Sequence, residues 1–332
     1  MKPLIEGFPA QLREALQIAS EVKLAQPVHS IHHVLVAGMG GSGIGGSLIK
    51  TLAASELAVP LDVSKSYDIP AYIGENSLFI ACSFSGNTEE TLSAIESAAA
   101  KGAHIICITS GGKLRDFAAQ HNLDVILIPG HSNSPRASIG YGLVQLYRIL
   151  SIFGILPSDF SAEIREAADL LEAETAGIRK ISLDLTAACR NQFPVLYGDS
   201  WLEAVLVRTQ QQIAENSKQL SHVNVFPEMN HNELVGWKFP EFLFSNTTTI
   251  LLRTSFDHPR SSARMDICLD IFRKTCGKVL EVEALGKTRF SQAIYLIHLL
   301  DWLSFDLAEA NQVDPFPVDV INYLKNELAK IA

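Results

Sequence analysis

Short apolar runs separated by longer amphipathic stretches are the feature that most limits what this chain can fold into. In the first half, residues 33–37, 78–83, 104–109 and 124–128 read as buried strands with helical patterns between them. Strands that alternate with helices need crossover connections, which cover both faces of a parallel sheet. A second series follows the polar, acidic helical stretch 161–180, with candidate strands at 193–197, 223–226, 248–253 and 279–282. Laying Phe193 over His33 puts a glycine, Gly198 or Gly38, after the first strand of each series. The expected fold class is therefore α/β, with two similar doubly wound parallel-sheet lobes in tandem, residues 1–156 and 157–332, dividing between Ile155 and Ser161 around Pro157. Without a low-complexity linker the lobes should pack firmly, which makes the cleft between them a natural site. A last helix is expected over residues 317–330, opening on Pro317.

A net charge of −9 argues against an extended nucleic-acid or acidic-membrane surface, while leaving room for a small anionic metabolite. The N-terminus shows no signal-peptide pattern and no run is long and apolar enough to span a bilayer, so a cytoplasmic location is expected. The five cysteines (Cys82, Cys107, Cys189, Cys268 and Cys276) have no CxxC spacing, and several sit in apolar runs. They read as core residues in a reducing compartment. No HExxH or comparable ligand array is present, and no metal is expected.

Two loops carry the chemistry. Gly38-Met39-Gly40-Gly41-Ser42-Gly43-Ile44-Gly45-Gly46 follows a strand and opens a helix, so its amides can approach an anion closely. Gly38, Gly40 and Gly43 also satisfy GxGxxG, with Asp62 near the spacing of a ribose-binding acid, which raises a dinucleotide alternative. Asp62 is not clearly at a strand end, and the fingerprint alone is permissive. The second loop, residues 83–91, again joins a strand to a helix, but with hydroxyls: Ser83, Ser85 and Thr88 can each donate to a phosphate oxygen. Asn87 and Glu90 would make a capping box, which leaves the clustered hydroxyls unexplained.

These paired loops resemble the sugar isomerase (SIS) domain, a phosphosugar-binding module of flavodoxin-like fold. Residues 38–46, 83–91, Pro135-Arg136, Glu215-Asn216-Ser217-Lys218, Asn230-His231-Asn232-Glu233 and the tail from Asp314-Pro315 to Lys325 are similar, in order and spacing, to bifunctional phosphoglucose/phosphomannose isomerases. That resemblance implies two SIS domains, a homodimer, no cofactor or metal, and interconversion of glucose or mannose 6-phosphate with fructose 6-phosphate in glycolysis and gluconeogenesis. It places the phosphate on Gly41, Ser42, Ser83, Ser85 and Thr88. Glu215 becomes the base, Arg136 (after the polar residues Ser132-Asn133-Ser134) the holder of enediolate charge, His231 a ring-opening residue from the neighbouring subunit, and Lys325 a residue that assists ring opening or holds the ring oxygen. Taken singly each has an ordinary reading: a solvated carboxylate, an exposed loop arginine, a helix-start histidine, a terminal lysine in water. One departure stands out. Where relatives commonly carry Asp-Pro-Thr-Pro, this chain has Asp314-Pro315-Phe316-Pro317, which puts use of mannose 6-phosphate in question. The remaining alternatives are a non-catalytic phosphosugar sensor, for which no DNA-binding extension is visible, and an NAD(P)-dependent oxidoreductase.

Overall fold

Strands β1 (His33–Ala37), β2 (Leu61–Ser64), β3 (Ser77–Ser83), β4 (His104–Thr109) and β5 (Asp124–Leu127) pair in parallel in the order β2-β1-β3-β4-β5. The computed structural model describes residues 1–130, 134–157 and 160–331. Ser132 and Asn133, and residues 158 and 159 of the expected boundary between lobes, lie outside the described residues. Helices α1 (Lys2–Glu6) and α2 (Phe8–Glu21) precede the sheet, and α3 (Gly40–Leu52), α4 (Glu89–Ala100), α5 (Gly112–Gln120) and α6 (Ile139–Ile152) connect or follow its strands. The second half runs α7 (Ser161–Ala173), α8 (Thr175–Cys189), β6 (Phe193–Asp199), α9 (Glu203–Ser217), β7 (His222–Phe226), α10 (Glu241–Phe244), β8 (Thr247–Arg253), α11 (Pro259–Thr275), β9 (Lys278–Glu283), α12 (Arg289–Ala310) and α13 (Asp319–Leu328). Its sheet, also parallel, has the order β7-β6-β8-β9. The expected pair of doubly wound sheets is present.

Period-2 alternation decides how the layers stack. Val34 and Val36 of β1 point to one face and Leu35 and Ala37 to the other. The inner faces of both sheets share one core, in which Val36 and Ile80 meet the same helical layer as Leu196 and Ile250. That layer includes α12, whose residues from Phe290 to Ser304 are all buried, as befits a central helix packed on every side, with its few polar residues, Asp301 and Ser304 among them, buried too. The outer faces carry separate clusters, Leu35 and Phe79 under Ile95 and Leu114, and Val195 and Tyr197 under Met265 and Phe272. Joining the two sheets through shared helices leaves their relative position fixed by packing.

Several sequence expectations change. Strand β2 was not among the expected runs: it is short and half-buried at the edge of the sheet, and Asp62 lies inside it, level with Leu35 of β1 and not at its end. The stretch 161–180 is two helices, α7 and α8, broken at Glu174. The last helix starts at Asp319, after Val318, so Pro317 lies ahead of its first turn. Cys82, Cys107, Cys189 and Cys268 are buried, and burial pushes their thiols up, Cys107 to about 12, which suits core residues. Among the described residues no helix is long and apolar enough to cross a membrane.

Candidate functional site

In the first sheet α3 leaves β1 toward β2, while α4 leaves β3 toward β4 on the opposite face. Both helices therefore aim their N-termini at one crevice beyond the carboxyl ends of β1 and β3, where free amides and aligned dipoles favour an anion. Only glycine fits where the backbone closes up. A Cβ on Gly43 would stand 2.2 Å from the Gly38 carbonyl oxygen, and one on Gly41 would stand 2.9 Å from the Pro135 carbonyl oxygen. Gly86, at φ 70°, would bring a Cβ within 1.7 Å of the Gly111 carbonyl oxygen.

The hydroxyls gather at the same crevice. Ser42 Oγ accepts from the Phe84 N–H at 3.2 Å, tying the two loops together, and the Ser83 and Thr88 hydroxyls lie 2.8 Å apart. Ser85 is exposed, its Oγ accepting from the Asn87 N–H at 3.2 Å. The capping box of Asn87 and Glu90 is not formed. Thr88 is the residue at the start of α4, so Asn87 falls outside the helix and instead accepts from the Lys113 N–H at 3.1 Å, fastening the loop to α5.

The second sheet has the same topological switch, between β6 and β8, but fills it with its own acids. Asp199 is only 4% exposed; its Oδ2 accepts from the His258 N–H at 2.8 Å and its Oδ1 from the Ser200 hydroxyl at 3.1 Å. Asp257 accepts from the N–H of Thr254 at 3.0 Å and from its hydroxyl. Burial and the nearby Asp199 raise the pKa of Asp257. Carboxylates already take the amides that a phosphate would use, and their charge repels one. Of the two switch points, the one in the first lobe is the candidate anion site.

Arg136 connects that site to the second lobe. It lies in the short 3-10 turn Pro135–Ala137, against Gly41, and is 7% exposed. Its Nε donates to Asn216 Oδ1 at 2.7 Å, its Nη1 to Glu215 Oε2 at 3.3 Å, and its Nη2 to the carbonyls of Pro315 at 2.5 Å and Phe316 at 3.1 Å. One guanidinium thus holds the end of α9 and the segment leading to α13. Burial lowers the Arg136 pKa and Glu215 pulls it back up, and the guanidinium stays charged. Lys218, in left-handed conformation at φ 54° just past α9, reinforces the junction by donating to the carbonyls of Glu215 at 2.5 Å and Pro317 at 2.7 Å.

Of the residues standing behind this arginine, only Asn216 was quoted from the sequence, and without a role. Arg208, Gln212 and Asn216 recur every four residues on α9 and are 2%, 2% and 0% exposed, a polar stripe facing α12. Arg208 donates to the Arg136 carbonyl at 3.0 Å and to Asp301 at 2.6 Å, Gln212 donates to Asp301 at 2.9 Å, and Asn216 to the Ser304 hydroxyl at 2.9 Å. Burial pushes the Asp301 pKa up, against the pull of Arg208. The four-residue spacing was the available signal, but a polar stripe at that spacing ordinarily faces water.

His231 and Lys325 are not brought to this cluster. His231 is exposed in the 3-10 turn Glu228–His231 after β7, and Lys325 is exposed on α13, with no hydrogen bond from either side chain to Arg136 or Glu215. No residue of α13 is buried, and Val320, Tyr323 and Leu324 are 82%, 65% and 57% exposed. Asp62, the acid a dinucleotide would need, is held by Lys50 Nζ at 2.7 Å and the Tyr72 hydroxyl at 2.9 Å, which lower its pKa. Its two oxygens are thus each already engaged, one by Lys50 and one by Tyr72.

Residues 28–146 match the SIS domain family, and residues 180–328 match the family described as bacterial phospho-glucose isomerase C-terminal SIS domain. Over its whole length the chain is similar to a bifunctional phosphoglucose/phosphomannose isomerase from Caldicellulosiruptor bescii, 37% identical with 98% of each chain covered. It is also similar to one from Aquifex aeolicus, 33% identical over 90% of this chain and 91% of the relative. Among solved structures, the C-terminal domain of glucosamine-fructose-6-phosphate aminotransferase from Francisella tularensis shares the fold, with TM-score 0.72, 14% identity, and 94% and 96% of the two chains covered.

Titration with inorganic phosphate should give one site per chain. Ser85→Ala should weaken it by roughly tenfold, the value of one hydrogen bond to a charged group. Ser255→Ala, at the matching place in the second lobe, should leave it unchanged. Two sites of similar affinity would contradict the assignment.

Proposed function

Since the chain belongs to the bifunctional phosphoglucose/phosphomannose isomerase family, we propose that it interconverts glucose 6-phosphate and fructose 6-phosphate through a cis-enediolate. It is a sugar-phosphate isomerase. The observation that carries the finer reading is the Arg136–Glu215 contact, 3.3 Å long and set directly beside the glycine loop. A phosphate in the crevice of the first lobe would leave the sugar to extend along Gly41 toward Arg136, and so toward the one carboxylate that arginine holds.

Moving a proton between C1 and C2 needs a single base that reaches both carbons. Glu215 has the features of such a base. Its Oε2 is fixed by Arg136, Oε1 accepts no hydrogen bond among the described residues, and the side chain is 30% exposed. Arg136 supplies the charge for the enediolate. Of its five N–H groups, four make the bonds described, which among the described residues leaves one on Nη1 for a substrate oxygen.

His231 opens the sugar ring in the active site of a second copy, and Lys325 assists. Two observations support a homodimer of this kind: His231 is exposed on its own chain, and α13 leaves its apolar side chains uncovered. The substrate is a phosphorylated hexose, and the reaction as proposed involves no cofactor. A place in glycolysis and gluconeogenesis, in the cytoplasm, follows from that reaction.

Phe316 leaves the arginine fork intact, because Arg136 binds its carbonyl and not its side chain. Phe316 is 45% exposed, and a bulky apolar ring where a threonine would stand is proposed to restrict which C2 epimer is accepted. Glucose 6-phosphate should accordingly be turned over faster than mannose 6-phosphate in a coupled assay, and Phe316→Thr should reduce the difference. Equal rates on both aldoses in the parent chain would contradict this.

The base is tested by exchange of the substrate C2 proton with heavy water. In Glu215→Gln exchange should fall at least about a hundredfold, with phosphosugar binding retained. Undiminished exchange would remove Glu215 from the role, and binding without any exchange in the parent chain would favour a sensor.

A further inference from the structure

His231 is exposed, yet the segment that carries it is pinned on both sides. Ahead of it, Met229 is fully buried against the outer face of the second sheet. Behind it, the Glu233 carboxylate turns back to the strands. Glu233 Oε1 accepts from the Tyr197 hydroxyl, and Oε2 accepts from Asn224 Nδ2 at 2.5 Å and lies 3.0 Å from His222 Nε2. Asn232 closes the bracket, its Oδ1 accepting from the Glu233 N–H at 2.6 Å and its Nδ2 donating to Glu228 Oε1 at 2.7 Å.

A carboxylate is a costly way merely to attach a loop. The Glu233 side chain is 22% exposed, and Leu234 and Trp237 already pack against the same cluster. Apolar contact holds a segment down but lets it slide. Three polar partners on two strands, β6 and β7, also fix its rotation, and a displacement of about 1 Å in a reacting group can cost on the order of a hundredfold in rate. The three partners lower the Glu233 pKa against the opposing effect of burial, and the carboxylate in turn raises that of His222, so the group is held as an anion.

We propose that Glu233 is a positioning residue, whose carboxylate orients the segment 228–233 so that His231 is presented rigidly to the active site of a second copy of this chain. This rests on the reading of His231 as a ring-opening residue acting across a dimer.

The test is a kinetic cycle on glucose 6-phosphate with His231→Ala, Glu233→Ala, Glu233→Gln and the double variant of the two alanines. Glu233→Ala should lower kcat at least tenfold with KM within twofold. Glu233→Gln, whose carbonyl and amide can still satisfy the three partners, should recover most of the rate. In the His231→Ala background, Glu233→Ala should add less than a twofold loss, which a general weakening of the fold would not produce. If Glu233→Ala does not fold, Tyr197→Phe removes one donor alone, and its smaller loss should likewise vanish without His231. A Glu233→Ala chain at full speed beside an impaired His231→Ala chain would overturn the positioning role and leave the ring-opening reading standing. So would losses that multiply in the double variant. A His231→Ala chain at full speed would overturn the ring-opening reading, and the positioning role with it.

Discussion

Four hydrogen bonds from the Arg136 guanidinium, to Asn216, Glu215, Pro315 and Phe316, join three stretches of chain far apart in sequence. Burying that charge is unfavourable unless its donors are matched, and the planar fork is matched on all three nitrogens. The position of the fork is itself imposed from behind, where Arg208 holds the Arg136 carbonyl and is held by Asp301 of α12. A buried polar ladder between two helices therefore sets where the Glu215 carboxylate stands relative to the glycine loop. The shared core beneath it keeps the two sheets from moving apart.

The two lobes repeat one strand order with opposite electrostatics. In the first, glycines and hydroxyls leave the switch point open to an anion. In the second, Asp199 and Asp257 occupy the corresponding amides. A repeated scaffold can diverge in this way: one copy keeps an open glycine and hydroxyl crevice, and the other supplies α9 with its terminal carboxylate and the loop that carries His231. The site then spans both lobes although each sheet is built on the same plan.

Much of this was legible in the sequence, because the strongest signals are local. An apolar run followed by clustered glycines or hydroxyls specifies a buried strand, a tight turn and a helix start without reference to the rest of the chain. That is why β1, β3 and both loops were readable. What was misread depends on partners distant in sequence. The half-buried edge strand β2 lacks a continuous apolar run, and Asp62 gains its meaning only from Lys50 and Tyr72. The capping box at Asn87 failed because Lys113 of α5 competes for the same side chain. The stripe Arg208, Gln212 and Asn216 looks like a solvated face until α12 covers it. The resemblance named His231 and Lys325, but both are exposed on the chain, and an exposed histidine or lysine has no local signature that sets it apart from an ordinary surface residue.

In the proposed reaction the Arg136 fork both assembles the site and serves the chemical step. Its most direct test is the steady-state kinetics of Arg136→Lys, alongside its affinity for inorganic phosphate. A lysine keeps the charge but cannot reach four acceptors in a plane. The account predicts that kcat falls by about a hundredfold or more while phosphate affinity stays within threefold of the parent. A kcat within a few-fold of the parent would contradict it.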